Sequence, residues 1–150
     1  MLVHEVQGAR ISWDPELRLL CGRFDERWSP TATGAEELRR TLRAWTGASE
    51  PYRMLADCGH VTRIPVVWQL EWAAHFREDR HRMKLAVLDL PLVMLPILEM
   101  VRATSGASIR TFRSETEALA WLFQDPVAAE ARGKVLTPGN RRARSSLAHR

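Results

Sequence analysis

The chain has 150 residues, 45% of them hydrophobic and 27% charged, with a net charge of +4, which is the size and balance of one globular domain with its own core. The opening MLVHEVQGAR lacks the apolar stretch of a signal peptide, and the longest apolar region, residues 85–101, is interrupted by Asp89, Pro91, Pro96 and Glu99, so no membrane span is expected. Residues 1–123 carry 16 basic and 16 acidic side chains, so the charge of the body points to no nucleic-acid face.

Residues 3–13 and 17–24 read as two β-strands joined by the tight-turn sequence Asp14-Pro15-Glu16, hence an N-terminal hairpin. Thr33-Gly-Ala-Glu36 is a capping box opening a helix whose buried stripe is Leu38, Leu42 and Trp45 and which ends at Gly47. Residues 52–56 make a short buried strand. Pro65 suits the first helical position of the next helix, lined by Val67, Leu70 and Ala74 and joined by Trp68 and Trp72.

KLAVLDL, residues 84–90, is an apolar run of strand length without alternation, as expected of a strand covered on both faces. A third helix falls between residues 92 and 104, with Gly106 as its C-terminal cap. Residues 109–112 form a last strand. Ser114-Glu-Thr-Glu117 is a second capping box, and the helix it opens carries Leu119, Trp121, Leu122 and Phe123, with Trp121 expected against the sheet. The order ββαβαβαβα predicts an α/β domain: a mostly parallel or mixed sheet with helices packed on it.

Residues 124–150 hold six basic groups against Asp125 and Glu130, with Pro and Gly breaks. They read as a basic, flexible C-terminal tail, the one place where nucleic acid or an anionic surface is a candidate partner. Cys21 and Cys58 suit a reduced, cytoplasmic protein better than a disulfide framework. Of the 22 basic residues, 20 are Arg, a usage that fits a GC-rich bacterial genome.

Two stretches bear on chemistry. ADCGHVTRIP, residues 56–65, sets Asp57, Cys58, His60 and Thr62 in one loop. A nucleophilic Cys58 would need His60 as base and Asp57 to orient it, but neighbours at a strand end diverge and Gly59 suggests a turn. A metal would need three or four converging ligands. His75 and His81, the imaginable additions, are six residues apart and share no helix face, and no Cys-x-x-Cys pair occurs. No Gly-rich phosphate loop, G-x-S-x-G elbow or dinucleotide fingerprint is present, so no catalytic residue, metal or cofactor is expected.

The second stretch is DLPLVMLPILEMV, residues 89–101, too apolar for a helix that buries one face only. With the preceding helix it suggests a ligand or partner surface made by Val67, Trp68, Trp72, Met94, Leu95, Leu98 and Met100. Such a surface suits a homodimer or an apolar ligand such as a lipid chain.

The element order, the ending IRTFRSETEALAWLF, and the placing of KLAVLDL and of the strand ending at Asp57 resemble the STAS domain superfamily, in particular its SpoIIAA-like branch. The resemblance covers residues 1–123. It implies a regulatory fold in which an Asp-Ser or Asp-Thr pair at the start of a helix is phosphorylated by a partner kinase, changing charge where the partner docks. Here that pair would fall at Pro65-Val66, which accepts no phosphate, and Thr62 is the nearest hydroxyl. The expected function is therefore a non-enzymatic binding module, first a self-associating or regulatory protein-interaction domain. The alternatives are a carrier or sensor of an apolar small molecule and, last, an enzyme using Cys58 and His60.

Overall fold

A computed structural model describes residues 1–124. The expected basic tail, apart from Gln124, lies outside the described residues. Six strands and four helices follow one another as β1 (Leu2–Val6), β2 (Ala9–Asp14), β3 (Leu19–Phe24), α1 (Ala32–Thr46), β4 (Tyr52–Asp57), α2 (Val66–Asp79), β5 (Met83–Leu88), α3 (Leu95–Ser105), β6 (Ser108–Phe112) and α4 (Glu115–Leu122), with a 3-10 turn at Leu92–Met94 leading into α3. The strands lie in the sheet in chain order. The pairs β1–β2 and β2–β3 are antiparallel, and β3–β4, β4–β5 and β5–β6 are parallel. The molecule is thus α/β with a mixed sheet. No helix among the described residues is long and apolar enough to cross a membrane.

One expectation about the sheet is corrected. Residues 3–13 are two strands, not one: the chain reverses at Gln7 and Gly8, with φ of 50° and 86°, so that Val6 pairs with Ala9. Positive φ at both central residues is the hairpin turn that matches strand twist. Gln-Gly is a weaker signal for it than Asn-Gly. Gly8 is also needed for space, since a Cβ there would lie 2.7 Å from the backbone of Trp28.

Helix ends follow local chemistry. Ser114 caps α4 by accepting from the Glu117 N–H at 3.3 Å, and Gly106, at φ 70°, ends α3 in the left-handed conformation. For α1 the cap is Thr31, whose Oγ1 accepts from the Gly34 N–H at 3.0 Å; Thr33 lies inside the helix. Pro65 stands one place before α2 rather than within it, and Pro96 occupies the first turn of α3, where a missing N–H leaves no intrahelical bond unmade.

The helices cover the sheet unequally. Leu42, Phe76 and Val101 of α1, α2 and α3 pack over Trp13, Leu20, Met54, Leu85, Val87 and Ile109 on one face. On the other, Ala118 and Leu122 of α4 meet Leu19, Leu55, Ala86 and Leu88. Successive residues of β4 and β5 point to opposite faces, and both faces are covered there. All six residues of β5 are accordingly buried, including Lys84, whose Nζ donates to the Trp121 carbonyl at 2.5 Å and lies 3.9 Å from the Trp121 ring centroid. Trp121 itself is half-buried against Phe112.

The rotation of α2 is the largest departure from expectation. Its buried side chains are Trp68, His75, Phe76 and Asp79, with Trp72 half-buried between them. Val67, Leu70 and Ala74 face outward, Leu70 with 64% of its surface exposed. Both lines have helical spacing. Turning the aromatic line inward removes far more apolar area from water than burying Val, Leu and Ala would.

Candidate functional site

Between the sheet and helices α1, α2 and α3 lies an apolar cavity of about 140 Å³. Its floor is a row of paired residues across four strands, Ile11, Gly22, Ala56 and Val87. The middle two are among the smallest side chains available, and the helices above cannot sink into the space they leave. A Cβ added at Gly22 would meet only Ile11 Cγ2, at 3.8 Å. Leu38 and Leu42 of α1, Trp68, Trp72 and Phe76 of α2, and Ile97, Leu98 and Val101 of α3 close the top. Cys58, Val61, Ile64, Leu90 and Met94, from the segments after β4 and β5, complete the wall at the carboxyl ends of the parallel strands, where open α/β sheets hold their ligands.

An aromatic row forms one side of this space. Phe24 and Trp28 have ring centroids 4.7 Å apart, Trp28 and Trp68 meet edge-on at 5.1 Å, Trp68 and Trp72 stack at 6.4 Å, and Trp72 reaches Phe76 at 5.7 Å. The Trp68 Nε1–H donates to the Thr31 carbonyl at 2.6 Å. The indole nitrogens of Trp28 and Trp72 are buried and have no hydrogen-bond partner among the described residues. Among the described residues no charged side chain lines the cavity, and the amide of Gln69 donates to the Ile64 carbonyl at 2.9 Å.

The structure spreads the expected surface over several environments. Trp68 and Met94, expected at a surface, are instead 3% and 2% exposed, and with Trp72 and Leu98 they line the cavity. Packing both helices on the sheet turns those side chains inward. Val67, Leu95 and Met100 are exposed, as are Val66, Leu70, Leu92 and Val93.

The loop after β4 does not assemble a catalytic group. Asp57 Oδ1 accepts from the Gly59 N–H at 3.2 Å, and its Oδ2 lies 3.4 Å from Arg23 Nε. Cys58 turns toward the cavity, where burial and then the Asp57 charge push its thiol up to about 12; it stays protonated at neutral pH. His60 and Thr62 point into solvent, and no hydrogen bond joins His60 to Cys58. Among the described residues no three His, Cys, Asp or Glu side chains gather as a metal would require.

A polar cluster missed from the sequence occupies the far end of α2. The Tyr52 hydroxyl donates to Asp79 Oδ2 at 2.5 Å and lies 3.1 Å from His75 Nε2. Arg82 contacts both Asp79 oxygens at 3.2 Å and donates to the carbonyls of Gly47 and Glu50. Arg43 approaches His75 Nδ1 at 3.4 Å. Burial, with Arg43 and Arg39 nearby, pulls His75 down to about 4 against the opposing pull of Asp79. Burial alone would raise Asp79, but the Tyr52 hydrogen bond, His75 and Arg82 hold it below the usual carboxylate range. Burial and then Asp79 raise the Tyr52 phenol far above its ordinary value. With the ring neutral, Nε2–H faces the tyrosine oxygen and Nδ1 accepts from Arg43, so each member has a partner. The i, i+4 spacing of His75 and Asp79 was the available sequence signal. The Tyr52 that completes it comes from another element.

No protein-family model, curated protein or solved structure matches this chain.

Proposed function

We propose that the chain is a binding module that takes a small apolar molecule into the cavity beneath α1, α2 and α3. The observation that carries this reading is the wall itself: a void of about 140 Å³ lined almost wholly by aliphatic and aromatic side chains, with no charged group among the described residues that line it. Engineered apolar cavities of roughly 150 Å³ stay dry and take up a benzene-sized guest. A full lipid chain is longer than this space, so the ligand is compact or leaves part of itself outside. The protonated Cys58 and the outward His60 support a role without covalent chemistry. The alternation of strands and helices is compatible with a SpoIIAA-like STAS domain, the family reading we retain as part of this proposal. Native mass spectrometry of gently purified protein is the test. A retained small-molecule mass that leaves on mild activation supports the proposal. A bare chain mass, with no rise in melting temperature on adding benzene-sized hydrocarbons, refutes it, since a ligand that binds only the folded state must stabilise it.

A second reading rests on a separate observation. Val66, Val67 and Leu70 at the start of α2, Leu92 and Val93 in the 3-10 turn before α3, and Leu95 at its start are exposed, and the two helices pack side by side. Apolar exposure of this kind marks interaction sites, and it supports self-association or docking of a regulatory partner. Light-scattering mass at increasing concentration tests it: a constant monomer mass removes self-association.

A further inference from the structure

The wall of the cavity divides into an aromatic side and an aliphatic side. Phe24, Trp28, Trp68, Trp72 and Phe76 make the first. Their rings meet at different angles, Trp28 and Trp68 at 86° and Trp72 and Phe76 at 42°. A planar guest lying along one ring therefore meets its neighbour tilted or edge-on, an arrangement that aromatic pairs prefer to a face-to-face sandwich. Leu38, Leu42, Leu98 and Val101 belong to the aliphatic side.

Almost no polar surface opens onto the space. The Trp68 N–H is committed to the Thr31 carbonyl and the Gln69 amide to that of Ile64. The indole nitrogens of Trp28 and Trp72 are buried within the packing rather than open to the void. The remaining side-chain hetero-atoms among the described lining residues are the sulfurs of Met54, Cys58 and Met94, which are weak hydrogen-bonding groups. A hydroxyl, amine or carboxyl entering here loses its bonds to water and finds none in exchange.

We infer that the ligand class of this cavity is the single-ring aromatic hydrocarbon, a planar guest of benzene or toluene size that carries no hydrogen-bonding atom. This inference rests on the ligand reading above and names its chemistry. The volume sets the size: about 140 Å³ is close to the roughly 150 Å³ of an apolar cavity that takes benzene. The aromatic side sets the preference within that size, since a saturated ring forgoes the contacts that aromatic pairs gain beyond buried area. The missing polar surface sets the exclusion, which covers alcohols, amines and fatty acids alike.

Toluene, phenol and methylcyclohexane test it, being single rings of similar size that differ in polarity and in aromatic character. Each is titrated into the full chain with ¹³C-labelled methyl groups, and binding is read from the resonances of Leu42, Leu98 and Val101. Phenol binds about a hundredfold or more weakly than toluene, the consequence of a buried hydroxyl without a partner. Dividing each affinity by the probe's partition from water into alkane cancels the differing ease of leaving water. After that division toluene exceeds methylcyclohexane by about three- to tenfold. A smaller gap between toluene and phenol means that the hydroxyl finds a partner in the wall, and it overturns the exclusion while the ligand reading stands. Equal or better normalised binding of methylcyclohexane overturns the aromatic preference, again leaving the ligand reading in place. If none of the three binds up to its solubility, the ligand reading falls and the inference falls with it.

Discussion

The two ends of α2 sit on the same face of the same sheet and are built in opposite ways. At the carboxyl end, His75 and Asp79 join Tyr52 and Arg82 in a cluster where every buried polar group has a partner. At the amino end, Trp68 and Trp72 stand over a void, with one indole N–H satisfied and the other not. Filled space and complete pairing are what stability alone would select. A void with idle donors gives up packing and hydrogen-bond energy, and that loss calls for a functional reason. The proposed function rests on this contrast: a fully paired structural cluster at one end of the helix and a candidate binding space at the other.

The sharpest way to break the comparison is Asp79→Ala. It leaves the Arg82 guanidinium, 9% exposed, without its carboxylate, and takes the acceptor from the Tyr52 hydroxyl. Breaking a buried pair from one side costs about 3–5 kcal/mol, and urea denaturation should show a loss of that size. A loss below about 1 kcal/mol would mean that the cluster is not structural.

Acid should act on the same end. Since His75 is pulled down to about 4 in the folded chain and titrates near about 6.5 when unfolded, the unfolded state binds more protons as pH drops below about 6.5. Stability is therefore full above that pH and is lost progressively as pH falls toward 4, by an amount on the order of a few kcal/mol. Asp79, held below its ordinary value, extends the loss to lower pH. Melting temperatures between pH 7 and pH 4 measure this. The slope should flatten in His75→Phe, and an unchanged slope there would assign the acid sensitivity elsewhere.

The cavity end predicts the reverse sign. Gly22→Val places methyl groups where only Ile11 is near, at a strand position with no positive φ. The filled floor should stabilise the fold by about 1 kcal/mol while abolishing uptake of apolar probes. Thermal melting with and without probe reads both effects. A clear destabilisation would show that the cavity is not open at Gly22. The smallest effect is expected at Leu70→Glu. That side chain is exposed, so stability should change by no more than about 0.5 kcal/mol. If the exposed start of α2 is a self-association face, the same variant is monomeric by light scattering where the parent chain is dimeric.

Much of the architecture was legible in short stretches of chain. Ser114 to Glu117, Gly106, and the unalternating run through Lys84 and Leu85 each carry their signal within a few residues, because caps and periodicity are local physics. Thr33 misled because Thr31, two places earlier, offers the same hydroxyl, and only the observed geometry with Gly34 separates the two. The candidate site was legible in part: Trp68, Trp72, Met94 and Leu98 were marked as one apolar feature, but as a surface. The loop from Asp57 to Thr62 drew attention for its residue types, and its chemistry depends on orientations that residue types do not encode.

By itself, the sequence determined that the chain alternates strands and helices, where most of those elements begin and end, and that β5 is a strand covered on both faces. Tertiary structure decided which face of α2 is buried. Two apolar lines of helical spacing compete along it, and only the sheet's aliphatic surface and the distant Tyr52 select the aromatic one. It also decided that the apolar excess lines a space. The void exists because parallel pairing of β3 with β4 sets Gly22 beside Ala56, two small residues far apart in the chain. No local pattern records that register, since it is fixed by the packing of both strands against the helices above them.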